Sequence, residues 1–317
     1  MTATAKTTWT LQEVEALYSL PLPELVYQSA TVHRAHHDPL EVQRSTLLSV
    51  KTGGCSEDCG YCPQSAHHDG PARKSTGMMS LEDVRLSAQH AKSTGASRFC
   101  MGAAWREVKD GPQFDAVIAM VEEVSGLGLE ACVTLGMVTL DQAQRLKAAG
   151  LTAYNHNLDT SSEHYGAIIS TRTYEDRLRT LQNVSRAGLQ ACCGGILGMG
   201  ETKRDRCALL QTLANLDPQP ESVPLNVLVR VPGTPLADMP ELDPLDLVRA
   251  VAVARILMPH ARVRLSAGRK ELTREAQALC FVAGANSIFF GDQLLTTDNP
   301  QVAADEALLH DLGLRAG

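Results

Sequence analysis

Three cysteines in Gly54-Cys55-Ser56-Glu57-Asp58-Cys59-Gly60-Tyr61-Cys62-Pro63 carry the plainest chemistry in the chain. Their C-x3-C-x2-C spacing gathers three thiolates on one short loop, which suits three irons of a cubane cluster and leaves the fourth iron without a protein ligand. A structural metal site closes its coordination shell, whereas a catalytic one keeps a position for substrate or cofactor. The loop reads as an iron–sulfur centre built to bind something.

Three further cysteines, Cys100, Cys132 and Cys192, each sit inside a separate strand-like run. In a closed barrel, residues from different strands face one another across the lumen, so these thiols can converge. The alternative is that each is a small buried hydrophobe, the common fate of free cysteine. Cys193 adjoins Cys192, and only one of two successive strand residues can face the lumen. Cys207 and Cys280 fall in helical segments and read as packing residues.

Polar residues mark the same region. Tyr154-Asn155-His156-Asn157-Leu158-Asp159-Thr160 puts Asn155, Asn157 and Asp159 on one face at the end of a strand. Buried polar groups that lack partners cost about 1–3 kcal/mol each, so these satisfy one another or a ligand satisfies them. His156 then points to the helices. Asn226 is an isolated polar residue in an apolar strand, and Arg264 and Ser266 share a face in Val263-Arg264-Leu265-Ser266-Ala267-Gly268-Arg269. Gly194-Gly195-Ile196-Leu197-Gly198-Met199-Gly200-Glu201 follows a strand and leads into a helix, where backbone N–H groups can approach a ligand. The segment lacks the third glycine of the dinucleotide fingerprint, Lys203 standing there, and the chain has no G-K-[ST] phosphate loop. His36-His37-Asp38 and His67-His68-Asp69 read as solvated loops.

The elements that must position these groups alternate. Eight β-like runs, Leu47–Lys51, Arg98–Ala103, Glu130–Leu135, Ala153–Leu158, Gln190–Leu197, Val223–Val229, Val263–Ser266 and Ser287–Phe290, are separated by helical periodicity. Thr139–Ala149 and Thr173–Ala187 each start at a threonine cap and stop before a glycine, Gly150 and Gly188. Such alternation predicts parallel strands joined by right-handed crossovers, and eight units fit a closed (β/α)8 barrel of the TIM type. An open doubly wound sheet competes. Residues 1–40, with Trp9–Tyr18 and Leu22–His37, read as an N-terminal helical extension, and 41–317 as one barrel domain without a linker. Aromatics make up only 4% of the 317 residues, as expected where small and branched side chains pack helices on strands. The net charge of −7 without a basic run argues against a nucleic-acid or membrane-surface partner. No stretch reaches the ~20 apolar residues of a membrane span, and Met1–Lys6 leads into no signal-peptide core, so a cytoplasmic protein with reduced cysteines is expected.

The cysteine loop, with an aromatic before its last cysteine, resembles the radical S-adenosylmethionine superfamily. Gly60–Ser65, Arg98–Trp105, Tyr154–Thr160 and Val263–Arg269 together are similar to the biotin synthase family, and the likeness spans roughly residues 20 to 300. The resemblance implies that Cys55, Cys59 and Cys62 hold a [4Fe–4S] cluster whose open iron binds S-adenosylmethionine. It further implies that Cys100, Cys132, Cys192 and Arg264 ligate a [2Fe–2S] cluster that gives up sulfide to dethiobiotin. Sequence physics alone would read Arg264 as a carboxylate partner. By the same carry-over, Tyr61, Asp159, Arg177 and the segment Gly194, Gly195, Ile196, Gly198 and Glu201 contact S-adenosylmethionine. Asn157 lies between its ribose and dethiobiotin, and Asn155 and Asn226 hold the ureido ring. A flavodoxin- or ferredoxin-type electron donor and a homodimer are implied only in this way. Cys193 departs from the family, where serine is more usual.

Two rival readings remain in the sequence. A lipoyl-type sulfur insertase carries an additional N-terminal cysteine motif, whereas no cysteine precedes Cys55 here. A structural zinc module would close Cys55, Cys59 and Cys62 with His67 or His68, and would leave Cys100, Cys132, Cys192 and the asparagine ladder without a purpose.

Overall fold

The computed structural model describes residues 8–317, so the leading segment Met1–Lys6 lies outside the described residues. Nine strands form a closed parallel barrel: β1 Glu41–Lys51, β2 Arg98–Ala103, β3 Glu130–Thr134, β4 Ala153–Asn155, β5 Gln190–Cys192, β6 Gly195–Leu197, β7 Ser222–Val227, β8 Arg262–Leu265 and β9 Ser287–Phe289. Pairing of β1 with β9, Gln43 opposite Ser287 and Ser45 opposite Phe289, shuts the cylinder. β5 and β6 are two pieces of one stave, since both pair with β7. The architecture is therefore the eight-stave (β/α)8 barrel rather than an open sheet. A last short strand, β10 Arg315–Ala316, adds to the start of β1.

Several bounds differ from the sequence pattern for local reasons. β1 begins at Glu41 rather than Leu47, because Gln43 and Ser45 are lumen residues whose polarity hid the strand. β4 stops at Asn155, where the polar ladder leaves the sheet, and the fifth stave breaks at Cys193-Gly194.

Helices wrap the barrel between strands: α3 Leu81–Ser93, α4 Pro112–Gly126, α5 Leu140–Ala148, α6 Ser162–Ile168, α7 Tyr174–Arg186, α8 Lys203–Ala214, α9 Pro244–Leu257, α10 Arg274–Val282 and α11 Val302–Asp311. Thr139, Thr173 and Thr202 cap α5, α7 and α8 with reciprocal capping boxes. Gly150 and Gly188 follow α5 and α7 at φ +94° and +73°, the left-handed stop that favours glycine. Ahead of β1 lie α1 Leu11–Tyr18, packed on α8, and α2 Leu22–His36, packed on α9. That cover explains why α9, residue after residue, is buried on nearly every side.

Strand register decides what shares the lumen. Cys100 stands opposite Cys132 across β2 and β3, and Cys192 opposite Asn155 and Ser222 on its two sides.

Candidate active site: two cysteine sets on one barrel cavity

The cysteine loop leaves the end of β1 through two left-handed glycines. At Gly53, φ +75°, an added Cβ would fall 2.2 Å from the Lys74 carbonyl oxygen, so no other residue fits. The loop then closes on itself: Cys55 N–H donates to Gln64 O at 3.0 Å, Ala66 N–H to Cys55 O at 2.7 Å, and Cys62 N–H to Cys59 O at 2.9 Å. Its two carboxylates face the segment before α7. Asp58 accepts from Ser170 N–H at 3.0 Å and Thr171 Oγ1 at 2.9 Å, while buried Glu57 lies 3.5 Å from Arg106 and 3.8 Å from Arg172 and accepts from Thr171. Both histidines serve the loop's backbone. His67 Nε2 contacts Ser56 O at 3.1 Å, and His68 Nε2 contacts Asp58 O at 3.0 Å and Cys59 O at 3.1 Å, so each ring has one nitrogen turned to a carbonyl of the loop. Burial pushes the Cys59 thiol up to about 12 and Cys62 to about 11, so a metal bound by these thiols would have to displace their protons.

Tyr61, Cys62 and Pro63 line one side of a cavity of about 250 Å³ that runs down the barrel axis. Its deeper wall holds Cys100, Cys132, Cys192 and Arg264, all buried. The three thiols converge, as one of the two sequence alternatives required. Cys132 hydrogen-bonds both neighbours, which lowers the Cys192 pKa and raises that of Cys132; burial opposes the first shift, and Arg264 and Arg98 reinforce it. Arg264 Nη1 reaches Cys192 Sγ at 3.7 Å, and Asn155 Nδ2 reaches the same sulfur at 3.3 Å. Soft thiolates beside fixed cationic donors suit a cluster of iron and sulfide. Cys193 faces the other way, into the helix-packed core, so the neighbouring thiol does not compete with Cys192. Cys207 and Cys280 are likewise buried in that core on α8 and α10.

Above the thiols the asparagine ladder is largely self-satisfied. Asn155 accepts from Thr134 at 3.0 Å and donates to Asn157 Oδ1 at 3.2 Å, which also accepts from Gly194 N–H at 3.1 Å. Asn226 stitches strands by donating to Gly195 O at 2.9 Å and accepting from Ala267 N–H at 3.1 Å. All three asparagines, Asp159 and Ser266 line the cavity. Asp159 sits at φ +68° and accepts from Tyr61 Oη at 2.8 Å and from Arg177. Arg177 spends its remaining donors on Tyr165 Oη at 2.8 Å and Asn157 O at 2.6 Å.

Packing by itself already requires glycine at two positions of the glycine segment. A Cβ on Gly194 would lie 1.9 Å from Pro224 O, and one on Gly195 would lie 2.4 Å from Leu209. Gly198 N–H and Met199 N–H already donate to Glu201, at 2.9 and 2.7 Å, and Glu201 is paired with Arg206. Of this segment only Ile196 lines the cavity. His156 is buried behind the ladder, where burial holds its ring neutral.

Three features had been missed. Below the thiols, Gln43, Ser45, Arg98, Ser222 and Ser287 are buried polar residues, with Arg98 Nε 2.8 Å from Glu130. Their signal was two-residue spacing from Leu47, Cys100, Pro224 and Phe289, which shares the lumen face. The Glu57–Arg172 contact joins residues far apart in sequence, and Leu294–Thr297, which lines the cavity mouth, belongs to an irregular loop without periodicity.

A parallel barrel that carries C-x3-C-x2-C on the loop after its first strand, beside an axial cavity, defines a radical S-adenosylmethionine enzyme. The Radical SAM superfamily model matches residues 49–213, and the Biotin and Thiamin Synthesis associated domain matches 224–315. The fold is shared with methylornithine synthase, TM-score 0.80 over 98% of this chain and 94% of that one at 16% identity. A hydrogenase maturase, HydG, superimposes at TM-score 0.82 and 16% identity over 98% of this chain and 72% of its own. Among sequence relatives, biotin synthase of Methylobacterium nodulans is 64% identical over 306 residues, 96% of this chain and 92% of that protein. That of Synechococcus elongatus is 63% identical over 308 residues, 97% and 96% of the two chains. The chain belongs to the biotin synthase family.

Proposed function

We propose that the axial cavity carries out the family's reaction, conversion of dethiobiotin to biotin by radical sulfur insertion, with Cys55, Cys59 and Cys62 holding a [4Fe–4S] cluster and Cys100, Cys132, Cys192 and Arg264 a [2Fe–2S] cluster. When bound, the first supplies the electron that splits S-adenosylmethionine into methionine and a 5′-deoxyadenosyl radical, and the second supplies the sulfur. The carrying observation is that both cysteine sets border one cavity, Cys62 from the loop and the other three from the strands.

The chain's own residues bind, orient and shield. Asn155, Asn157 and Asn226 offer amide dipoles to the ureido ring of dethiobiotin, and Asn157 keeps an amide nitrogen for the ribose of S-adenosylmethionine. Tyr61, Asp159 and Ile196 form the wall against that cofactor, Arg177 holds Asp159 from behind, and Gly194, Gly195, Gly198 and Glu201 hold the strand end in place. Leu47, Val227 and Leu294 exclude water from a carbon radical that would otherwise react with it. The helical extension, residues 1–40, lies outside this chemistry, and the barrel, 41–317, contains all of it. No helix among the described residues is long and apolar enough to cross a membrane. We place the protein in the cytoplasm as a homodimer served by a flavodoxin- or ferredoxin-type donor.

Cys59→Ala and Cys132→Ala test the division of labour. After anaerobic reconstitution, the first variant is expected to form no 5′-deoxyadenosine. The second is expected to form it without biotin. Equal loss of S-adenosylmethionine cleavage in both variants, with both folded, would refute separate roles.

A further inference from the structure

The net charge is −7, yet the outer side of the cysteine loop is basic. A recess of about 390 Å³ there is lined by Lys51, Arg106 and Lys109, with Glu107 as its one carboxylate. Half-exposed Trp105 forms part of the wall, and Gly54 and Ser56, the exposed neighbours of Cys55, form another part. Exposed Lys74 precedes Ser75 on the rim. Lys51 turns its ammonium to the carbonyls of Gly53 at 2.8 Å and Ala104 at 3.4 Å, not to an acid. The one lysine ion pair among the described residues is elsewhere, Lys270 with Asp298, so Lys74 and Lys109 carry unneutralised charge.

The recess and the reaction cavity share no lining residue, yet both touch the same loop. Tyr61, Cys62 and Pro63 face the cavity, and Gly54 and Ser56 face the recess. The loop is thus a partition with substrates on one side and a solvent-open basic surface on the other.

We propose that this recess is the docking surface for an acidic electron-carrier protein, which delivers its electron across the Cys55 side of the loop. The inference rests on the reading that Cys55, Cys59 and Cys62 hold the reducible cluster, and adds where the donor sits and what charge it bears. An acidic carrier is repelled by the rest of an acidic enzyme, so a local patch of unpaired lysines fixes both approach and orientation. Redox encounters of this kind are small and short-lived, and need an electrostatic target more than a large apolar face. Half-exposed Trp105 is the one aromatic residue in the wall of the recess.

The test compares the reconstituted enzyme with Lys74→Glu/Lys109→Glu and with Lys147→Glu/Arg186→Glu, a control of equal charge change at the far ends of α5 and α7. The probe is a purified bacterial flavodoxin, as the hydroquinone for electron transfer and oxidised for binding by flavin fluorescence. The recess variant is expected to lose about tenfold or more in both flavodoxin affinity and electron-transfer rate at low salt. Wild type and control should lose rate as salt rises over the range where the screening length falls below about 10 Å. Dithionite-driven S-adenosylmethionine cleavage should be the same in all three. Wild-type affinity and rate in the recess variant, with dithionite cleavage intact, would overturn the docking surface alone. Absence of dithionite-driven cleavage from the wild-type protein would overturn the cluster assignment, and this inference with it.

Discussion

Arg264 Nη1 lies 3.7 Å from Cys192 Sγ, and the guanidinium has no carboxylate partner among the described residues. Its other donors go to neutral oxygens, Ser287 Oγ at 2.9 Å and Gln43 Oε1 at 3.2 Å, and Phe289 stacks 5.0 Å from its centre. A fully buried cation that faces one thiol of lowered pKa, Cys192, and otherwise only neutral groups costs stability in the empty protein, and the cost is offset when further anionic sulfur fills the space beside it. Arg264→Met is therefore expected to leave cluster-free protein within about 1 kcal/mol of wild type by thermal unfolding. The same variant should release the second cluster to an iron chelator faster than wild type. A large drop in cluster-free Tm with unchanged release would reverse this assignment of its role.

Asp159 presents the opposite case, a buried anion whose counter-ion is equally buried. Its side chain is 2% exposed and that of Arg177 4%. Removing one partner of such a pair leaves the other unpaired in low dielectric, at a cost of about 3–5 kcal/mol. Asp159→Asn should approach that loss, although Tyr61 keeps one hydrogen bond to the residue. Adding Arg177→Met should recover part of it. Denaturant unfolding of the two single variants and the double variant gives the coupling, and simple additivity would mean that the pair is not a unit.

The fold was legible wherever residue spacing and burial agreed. Eight strand runs and glycine-stopped helices announced the barrel, and Cys55, Cys59 and Cys62 announced their own loop. Convergence of Cys100, Cys132 and Cys192 was only one of two readings, because distance across a lumen is set by strand register and not by spacing along the chain. Gly194 and Gly195 pointed to the right place, and packing against Pro224 and Leu209 is a constraint on them that the sequence did not show. Composition shows that a Cβ is missing, but not whether a ligand or Pro224 occupies its space. Glu57, Arg172 and the recess beside Trp105 were invisible, since each joins segments that meet only once the barrel has closed.

Histidines near the N-terminal helices set an acid limit. Burial, then the charge of Arg255, pushes His33 down to about 3 and His37 to about 4. Arg34, Arg262 and His260 add to the same field. In the folded protein both rings stay neutral where the unfolded chain, with an ordinary value of 6.5, takes up protons. The contribution of these two histidines to stability is therefore constant above neutrality and falls as pH drops from about 6.5 towards 4. His33→Leu, which removes a buried ring whose Nε2 has no hydrogen-bond partner, should flatten the decline. The readout is Tm at pH 7.5 and 5.5 for both proteins, and parallel declines would exclude His33 as a source.

Gly194→Ala tests whether the glycine segment is a packing device. The new methyl would lie 1.9 Å from Pro224 O and 2.8 Å from Pro224 C, backbone atoms of the adjoining β7 that cannot rotate away. The strand must shift, and with it the Gly194 N–H bond to Asn157 and the Leu158 N–H bond to Gly194 O at 3.0 Å. Destabilisation of about 3 kcal/mol is expected, at the upper end for overpacking, with weaker dethiobiotin binding because Asn157 moves. Gly126→Ala is the contrast, as a Cβ there meets nothing within 4 Å at the end of α4. That change should stabilise by about 0.5–1 kcal/mol through helix propensity alone. Thermal unfolding of the two variants separates the cases by sign. If Gly194→Ala kept wild-type Tm while losing S-adenosylmethionine affinity, ligand approach rather than packing would be the reason for glycine at that position.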